Sequence, residues 1–335
     1  MALDIRDLAV PVIVAPMAGG PSTPELAAAV GAAGGFGYVA GGYLAPDALR
    51  TVLDRTRALG DSPIGVNLFV PGRKEADEEA IARYADQLAP EAARLGVALG
   101  EPRWDDDFID AKVDLLVSTG VHTVSFTFGT PAADVVARLR RSGVVVGVTV
   151  TSAAEADVAA GVGADVLVVQ GTEAGGHQGI FEPEEPNRTP LLDALAEIGP
   201  LGLPMVGAGG IMTAADVQRV LDAGAVAAQV GTALLCTPEA ATSAPYRTAL
   251  LERRYADTVL TRAFSGRWAR GLANRLAVEH PDAPAGYPQV HHLTRPLRAA
   301  ATAAGDADVP NLWAGTGWRE VRAEPAAEVV RRLTE

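Results

Sequence analysis

The feature that most limits the fold of this chain is an eightfold alternation of short apolar runs and segments of helical length. The runs are rich in β-branched residues and lack polar alternation, which is typical of parallel strands covered on both faces. Eight such units in a row favour closure into a barrel over an open doubly wound sheet. The sequence therefore predicts an α/β fold, a (β/α)8 TIM barrel, with strands at residues 12–15, 36–40, 64–70, 123–128, 144–150, 166–170, 205–208 and 226–230, and helices at 23–34, 46–60, 131–142, 152–163 and 213–223.

Residues typical of helix ends flank the predicted helices. Ser22, Thr23, Ser152 and Thr213 are candidate N-caps, because their side-chain oxygens can accept a hydrogen bond from a free backbone amide. Glu155 stands three residues after Ser152, which is the spacing of a capping box. These signals support the helix starts that the apolar pattern predicts.

Two segments lie outside the eightfold pattern. Residues 72–110 are rich in Glu, Asp and Ala and are predicted to be helical over 75–88 and 90–95, with a solvated charged face. Residues 245–310 follow the eighth strand and contain Arg- and Ala-rich stretches of helical length.

We predict three parts of the chain from this pattern. Residues 1–244 form the barrel, and residues 245–310 form a small helical subdomain beside the barrel mouth that covers the substrate. Residues 311–335 form a C-terminal segment whose helix, at 320–333, returns to the barrel.

Composition excludes several classes of protein. The 335 residues are 48% hydrophobic and carry a formal charge of −13, which opposes binding to nucleic acid or to an anionic membrane. The single cysteine, Cys236, excludes an intramolecular disulfide and a cysteine-rich metal site. The first ten residues do not resemble a secretory signal, and the apolar runs are too short to span a bilayer. We expect a cytoplasmic protein that holds no metal.

Glycine-rich sequences follow the seventh and eighth predicted strands. The first is Gly207-Ala208-Gly209-Gly210-Ile211, and the second is Gln229-Val230-Gly231-Thr232. The carboxyl ends of these two strands hold the phosphate site in many barrels, and glycine lets backbone N–H groups approach an anion closely. The alternative, that these glycines serve only as turns, is weakened by the occurrence of two such loops side by side.

One histidine stands among four glycines after the sixth strand, in residues 170–179. A lone histidine is most often structural. Here the flanking glycines fit a backbone that packs against a flat ligand, and the pKa of imidazole suits proton transfer near neutral pH. His177 is therefore the candidate catalytic residue.

Six motifs in order resemble the FMN-dependent nitronate monooxygenases, which are also called 2-nitropropane dioxygenases. They are Ala15-Pro16-Met17, Gly65-Val66-Asn67-Leu68-Phe69, Val124-Ser125-Phe126-Thr127-Phe128-Gly129, the 170–179 loop, and the two glycine-rich sequences above. Residues 262–271 and 311–315 resemble the lid and the C-terminal stretch of that family. The resemblance spans almost the whole chain.

The resemblance implies one non-covalent FMN in the barrel. Its ring system is expected near Met17, Asn67, Gln170 and Gly175. Core packing of Met17 and a strand-end cap by Asn67 are the alternatives. Thr127 stands where some relatives carry a second histidine, so the resemblance gives no second histidine here. The full set of implied cofactor-binding residues, including those near the phosphate, is Met17, Asn67, Gln170, Gly175, Gly210, Gln229, Val230, Gly231 and Thr232.

The resemblance further implies oxidation of alkyl nitronates, and also of nitroalkanes, with O₂, releasing nitrite and a carbonyl compound. His177 would be the general base for a neutral nitroalkane. Two alternatives stay open: an FMN-dependent enoyl-acyl carrier protein reductase that uses NAD(P)H, and a flavin-binding protein without turnover. The expected partners are a small nitronate and O₂, and the chain is expected to be a monomer or a homodimer.

Other candidate residues are given structural roles. His122 precedes the fourth strand, on the amino-terminal side of the barrel, away from the expected site. His291 and His292 are adjacent, so they cannot easily face one metal ion, and no carboxylate stands beside them at ligand spacing. Cys236 is expected to be a small buried residue.

Overall fold

The computed structural model of the protein describes Ile5 and residues 8–335. Residues 1–4, 6 and 7 lie outside the described part of the chain. They belong to the amino-terminal stretch in which we expect no targeting signal and to the predicted 1–244 unit. The strands of the barrel and one short strand outside it are β1 (Val12–Val14), β2 (Gly37–Ala40), β3 (Ile64–Phe69), β4 (Thr123–Thr127), β5 (Val145–Val150), β6 (Val166–Gln170), β7 (Gly176–His177, outside the barrel), β8 (Met205–Ala208) and β9 (Ala227–Val230).

The barrel strands pair in parallel in the order β1-β9-β8-β6-β5-β4-β3-β2. A single parallel bridge between Ile13 and Phe36 joins β1 to the start of β2 and brings the two ends of the sheet together. Each strand lies at its predicted position to within one or two residues. This strand order and the closing bridge confirm the predicted (β/α)8 barrel. Its strands are apolar throughout because both faces of the sheet are covered.

The helices surround the barrel and continue into the added segments. All five helices predicted from the barrel pattern are present, with ends within about two residues of the expected positions. The helices of the described chain are α1 (Pro24–Ala32), α2 (Pro46–Leu59), α3 (Glu78–Leu95), α4 (Ile109–Thr119), α5 (Ala133–Arg141), α6 (Ala153–Gly161), α7 (Leu191–Ile198), α8 (Ala214–Asp222), α9 (Ala244–Leu251), α10 (Arg275–Glu279), α11 (Gln289–Ala303) and α12 (Ala326–Arg332).

Three of the four candidate N-caps bind as expected. The side chains of Thr23, Ser152 and Thr213 each accept a hydrogen bond from the amide three residues on. Ser22 is not a cap, because its hydroxyl accepts instead from the amide of Met17, at 2.8 Å.

The capping box predicted at Ser152 is only half formed. The carboxylate of Glu155 does not return to the cap residue. It accepts from the amide of Thr151 at 2.6 Å and from the amide of Phe181 at 2.7 Å. Glu155 thereby ties the start of α6 to the chain that follows His177. The complete box lies at Thr213 and Asp216.

Helix α3 is one helix where the sequence predicts two. A proline inside a helix removes one backbone hydrogen bond and costs about 3 kcal/mol, which is why a break is expected at Pro90. The buried stripe of Ile81, Tyr84, Leu88 and Ala92 nevertheless continues across it at helical spacing. Packing of this stripe outweighs the local cost.

The segment 245–310 contains strands as well as helices. Between α9 and α10 lie β10 (Thr258–Thr261) and β11 (Ala269–Leu272), and β11 pairs antiparallel with β7. The barrel loop that carries His177 is therefore one strand of this small sheet. Whether the segment is a separate domain stays a prediction.

The two segments outside the barrel pattern pack on each other. Tyr84 and Leu88 of α3 share one apolar cluster with Phe264, Leu293 and Leu297 from the 245–310 segment. The insertion after β3 and the segment after β9 are thus held together by a common core beside the barrel.

Helix α12 is shorter than the 320–333 helix that the sequence predicts. Residues 318–320 form a separate 3-10 turn. Ala326, Val329 and Val330 are buried in the barrel's apolar cluster, and α12 contacts α1, so the chain does return to the barrel. None of the helices in the described part of the chain is long and apolar enough to cross a membrane.

Candidate active site

A cavity of about 330 Å³ lies at the carboxyl ends of the barrel strands. This volume is within the usual range for sites that bind small molecules. All ten residues that the sequence analysis singled out for catalysis or cofactor binding line it: Met17, Asn67, Gln170, Gly175, His177, Gly210, Gln229, Val230, Gly231 and Thr232. The structure thus brings the whole predicted set to one cavity, while the role of each member stays a prediction.

His177 is held in place by the backbone on both sides of its own loop. In the β7–β11 pair it stands opposite Ala269. The side chain of Gln170 donates from Nε2 to the carbonyl oxygen of His177 at 3.1 Å and accepts from the amide of Gly179 at 2.7 Å. Gln170 therefore clamps the loop, which is a structural role beside the expected contact with the flavin ring.

The imidazole of His177 lies among aromatic rings and one hydroxyl. Its Nε2 is 2.8 Å from Oγ of Ser265. The rings of Trp313, Phe128 and Tyr287 have centroids 5.3, 5.7 and 6.0 Å from the centroid of the imidazole. The accessible part of the ring opens into the cavity. This arrangement holds the ring in one orientation toward a ligand.

The surroundings keep His177 uncharged at neutral pH. Burial lowers its pKa to about 3, and the positive charges of Arg267 and Arg298 contribute to the shift. An imidazole in this state can accept a proton, but the imidazolium that forms is disfavoured by the two arginines.

Arg267 is a buried positive charge, and Arg298 is a partly buried one that lines the cavity; neither has a carboxylate partner among the described residues. No Asp or Glu oxygen of the described residues lies within 4.0 Å of Arg267 or Arg298. Arg267 donates to the carbonyl oxygen of Ile180, and its guanidinium lies 4.1 Å from the ring centroid of Phe128. Burial lowers the pKa of each arginine to about 10. A cavity that Arg298 lines and that lies beside the buried Arg267, with no carboxylate paired to either, suits an anionic ligand.

Asn67 connects two strands at the inner end of the cavity. It is only 3% exposed, and its Nδ2 donates to Oγ of Ser125 at 3.0 Å and to Oγ1 of Thr127 at 2.9 Å. Thr127 in turn lies 3.2 Å from Oγ1 of Thr149. Asn67 therefore ties two neighbouring strands together, and its contact with a flavin ring stays a prediction. Thr127, at the position of the missing second histidine, extends this polar row.

Backbone amides that lack a partner line the other end of the cavity. Gly210 has a φ of +70°, which favours glycine, and the amides of Gly210, Ile211 and Thr232 have no acceptor among the described residues. Two adjacent loops thus present free N–H groups to one place, which is the arrangement that binds a phosphate. We call the amides of these three residues the amide cradle.

The start of helix α8, beside the cradle, already carries a carboxylate. The amides of Met212 and Thr213 already donate to the carboxylate of Asp216, at 3.0 and 2.9 Å. Because a carboxylate occupies the helix start, a second anion there would be repelled. The cradle consists of the loops alone.

Gly175 is required by the packing of the chain. A Cβ at this position would lie 2.5 Å from the amide nitrogen of Gly315. That amide donates to Oγ1 of Thr232 at 3.0 Å, so the C-terminal stretch is fixed against the cradle. Close approach of residues 314–315 explains the glycine, and contact of Gly175 with a flavin ring stays a prediction.

Sequence reasoning missed three residues of the cavity. Ser265 and Arg298 were assigned no role, and His291 was considered only as a metal ligand and set aside; all three line the cavity. His291 and Arg298 stand seven residues apart on α11, two turns along one helix face, which is the signal that links them.

Apart from His291, the residues given structural roles lie where they were expected. Nδ1 of His122 accepts from the amide of Ile64 at 3.2 Å, at the amino end of β3. His292 is 2.7 Å from Asp105 and does not line the cavity. Cys236 is fully buried, and burial raises the pKa of its thiol to about 11, so it is not a nucleophile at neutral pH.

Comparisons with known proteins identify the family of the chain. The family profile described as nitronate monooxygenase matches residues 4–335. The nitronate monooxygenase of Pseudomonas aeruginosa is 40% identical over 97% of this chain and 95% of its own length, and that of Paraburkholderia phytofirmans is 37% identical over 96% and 91%.

Two solved structures place the fold. Nitroalkane oxidase from Streptomyces ansochromogenes is 46% identical, covers 98% of this chain and 96% of its own, and superimposes with a TM-score of 0.95. FabK from Thermotoga maritima is 23% identical, covers 98% and 93%, and has a TM-score of 0.76, a likeness that shows the fold alone. Since the family profile spans nearly the whole sequence and the relatives align from end to end, the chain belongs to the nitronate monooxygenase family.

Proposed function

We propose that this protein uses FMN and O₂ to oxidise alkyl nitronates, and more slowly nitroalkanes, to nitrite and a carbonyl compound. The observation that carries the proposal is the neutral His177 in a cavity that Arg298 lines, with the buried Arg267 packed on the cavity-lining ring of Phe128 and neither arginine paired with a carboxylate of the described residues. A nitronate is an anion that has already lost the proton beside the nitro group. It therefore gains from the positive charge and needs no base.

Members of this family are flavoenzymes in general, and the cavity suits FMN in particular. The amides of Gly210, Ile211 and Thr232 need an acceptor, which a terminal phosphate would supply. Met17, Asn67, Gln170 and Gly175 line the space beyond it, where a flat ring system would lie. When bound, FMN takes electrons from the substrate and passes them to O₂.

The residues around the cavity would each do a separate task. His177 faces the substrate, takes a proton from a neutral nitroalkane, and orients a nitronate. Ser265 fixes the imidazole through Nε2. Arg267 and Arg298 stabilise the anion and disfavour the imidazolium, so deprotonation is the harder route. The 245–310 segment covers the substrate and keeps water out.

The reductase that uses NAD(P)H remains the alternative activity. The likeness to FabK bears on the fold alone and does not favour it. The positive, enclosed surroundings of His177 fit a small anion and favour nitronate oxidation.

The test is turnover with chosen substrates. Purified holoenzyme is mixed with ethyl nitronate, with nitroethane, or with NADH and an enoyl thioester, and O₂ uptake, nitrite and acetaldehyde are measured. We expect nitrite and O₂ uptake with the nitronate and a lower kcat/KM with nitroethane. Enoyl reduction by NADH without nitrite release from either nitro compound would refute the proposal.

Oligomeric state and location are not part of this test. A monomer or homodimer in the cytoplasm stays a prediction from the sequence.

A further inference from the structure

The cavity contains a second histidine that the proposed reaction does not use. His291 lies on α11, is only 8% exposed, and lines the same cavity as His177. The ring centroid of Tyr287 is 6.0 Å from that of His177 and 6.4 Å from that of His291, so both imidazoles lie next to this ring. His291 also stacks on Tyr43, with the centroids 4.3 Å apart and the planes 5° from parallel.

The protonation of His291 follows from its neighbour. A terminal nitrogen of Arg298 lies 3.3 Å from Nδ1 of His291. A guanidinium has only donors, so Nδ1 must accept and the ring proton must be on Nε2. The same guanidinium is fixed by Oδ1 of Asn311 at 2.6 Å and by Oγ1 of Thr294 at 3.0 Å. The tautomer is therefore set by a rigid network.

The other ring nitrogen has no partner in the protein. No acceptor for Nε2 of His291 is found among the residues that the structure describes. Nε2 is not among the fully buried unpartnered atoms of the described residues, so it is accessible, and an N–H group of this kind is normally satisfied by a ligand or by water. Because the ring lines the cavity, the molecule that satisfies it is one that enters the cavity.

We propose that His291 contacts the substrate: its Nε2–H donates a hydrogen bond to an oxygen of the nitronate group, and Arg298 strengthens that donor from behind. This inference rests on the proposed function, because it names the group that the substrate presents. Arg298 is a positioning residue, which acts through the imidazole. The guanidinium of Arg298 polarises the neutral imidazole and so makes its Nε2–H a stronger donor to the anion. The cavity thereby discriminates the charged nitronate from the neutral nitroalkane.

The proposed role requires a neutral hydrogen-bond donor at position 291. Burial and the charge of Arg298 lower the pKa of His291 to about 2, so the ring is a neutral donor at every working pH. A glutamine retains an N–H donor at this place, whereas a phenylalanine retains the stack on Tyr43 and loses the donor. The adjacent His292, paired with Asp105 and outside the cavity, is the matched control.

The experiment compares His291→Phe, His291→Gln, Arg298→Met and His292→Phe with the unchanged holoenzyme. Two quantities are measured: steady-state constants for ethyl nitronate and nitroethane, and binding of nitrate by isothermal titration calorimetry. Nitrate is a planar anion of similar shape, and its binding does not depend on turnover. Circular dichroism and flavin content show whether each variant is folded and loaded.

We expect His291→Phe to raise KM for the nitronate and to weaken nitrate binding by about 10–100-fold, as expected for a hydrogen bond to a charged group. The value of kcat should change less, and KM for nitroethane should change by less than threefold. His291→Gln should restore most of the loss, and Arg298→Met should show an intermediate one. His292→Phe should leave nitrate binding within twofold.

Equal nitrate binding and nitronate KM in folded His291→Phe and unchanged protein would overturn the inference while leaving nitronate oxidation intact. An equal loss for nitronate and nitroethane would also overturn it, because a donor to the anion must discriminate between them. If the unchanged protein did not oxidise nitronates at all, the proposed function would fail, and nitrate titration would still report on His291.

Discussion

At the scale of single residues, the pKa of His177 decides which substrate the site favours. A free histidine titrates near pH 6.5, whereas burial and two arginines lower the pKa of His177 to about 3. At pH 7 the ring is neutral and ready to accept a proton, but the charged product is disfavoured. Under the proposed function the same two arginines favour an anionic substrate, so we expect their effects on nitronates and nitroalkanes to be opposite.

Replacing His177 should separate its two proposed roles, which are proton transfer from a nitroalkane and orientation of a nitronate. In His177→Asn, turnover of nitroethane should fall by roughly 10²–10⁴-fold, the usual contribution of a positioned acid–base group. Oxidation of the pre-formed ethyl nitronate should fall much less, since only positioning is lost. The measurement is kcat/KM for both compounds, with flavin stoichiometry as the control. Equal losses on both would leave His177 a binding role, and no loss on either would remove it from the site.

The pH dependence of the unchanged protein follows from the same shift. A base with a pKa near 6.5 would give a kcat/KM for nitroethane that falls below pH 6.5. With the pKa of His177 at about 3, the ring stays unprotonated, and no such fall should occur between pH 8 and pH 5. An acid limb centred near pH 6.5, absent with the nitronate, would contradict the assigned surroundings of His177.

Ser265 should affect the turnover of nitroethane by holding the imidazole of His177 in position. Its hydroxyl is 2.8 Å from Nε2, and it also lies 3.3 Å from the carbonyl oxygen of Arg267, so it connects the ring to a fixed backbone. In Ser265→Ala we expect kcat for nitroethane to fall about tenfold, as for the loss of one hydrogen bond, with less change for the nitronate. Ser265→Thr keeps the hydroxyl and should restore the rate. Failure of threonine to restore it, with the fold intact, would indicate a packing role only.

At the scale of elements, the sequence predicted what depends on local pattern and missed what depends on distant packing. The barrel strands and the anion loops could be predicted because each has its own apolar or glycine signature. The continuity of α3 across Pro90 could not, since it depends on apolar partners such as Phe264, far along the chain. The pairing of β7 with β11 was missed for the same reason: a two-residue strand has no periodicity to detect.

The site shows the same division between local and distant signals. His177 was found because its glycine neighbours are contiguous with it. The involvement of His291 and Arg298 depends on how α11 packs over the barrel mouth, so neither residue carries a local motif. At the start of α8 the sequence shows the cap residue Thr213, but not that the carboxylate of Asp216 accepts from the amides of Met212 and Thr213.

The amide cradle can be tested with glycine substitutions. Gly231 has no positive φ, and a Cβ there would lie 3.3 Å from Cβ of Ala15, so a larger side chain fills the cavity without backbone strain of its own. Gly231→Leu should give folded, colourless protein without activity, and Gly210→Leu should do the same with added strain. Gly161→Leu is the control, because a Cβ there meets nothing within 4 Å.

Flavin content after purification, measured by absorbance, is the readout. Full flavin content and normal turnover in folded Gly231→Leu would exclude this loop as part of the cofactor site. Loss of flavin in Gly161→Leu would show that the effect is not specific to the cradle.

At the scale of the whole molecule, the buried histidines make folding stability depend on pH. Each lowered pKa means that the unfolded chain binds a proton that the folded chain refuses, so stability falls as pH drops below about 6.5. His177 and His291 both have pKa values well below that of the unfolded chain. Between pH 7 and pH 5 each should cost about 2 kcal/mol of unfolding free energy.

Urea unfolding at pH 7 and pH 5 measures this cost. The loss of stability between the two pH values should be smaller in His291→Phe than in the unchanged protein, because one titrating group is gone. An equal loss in both would mean that His291 is protonated in the folded state.

Nitronate oxidation by this protein requires that the nitronate itself reduces the flavin. The most direct measurement is to mix the loaded protein under anaerobic conditions with NADH, then with ethyl nitronate, while recording the visible flavin absorbance. The enclosed, positive cavity around His177 predicts that the nitronate changes the flavin spectrum and that NADH does not. Bleaching by NADH together with no change on adding the nitronate would contradict the assignment of this site to nitronate oxidation.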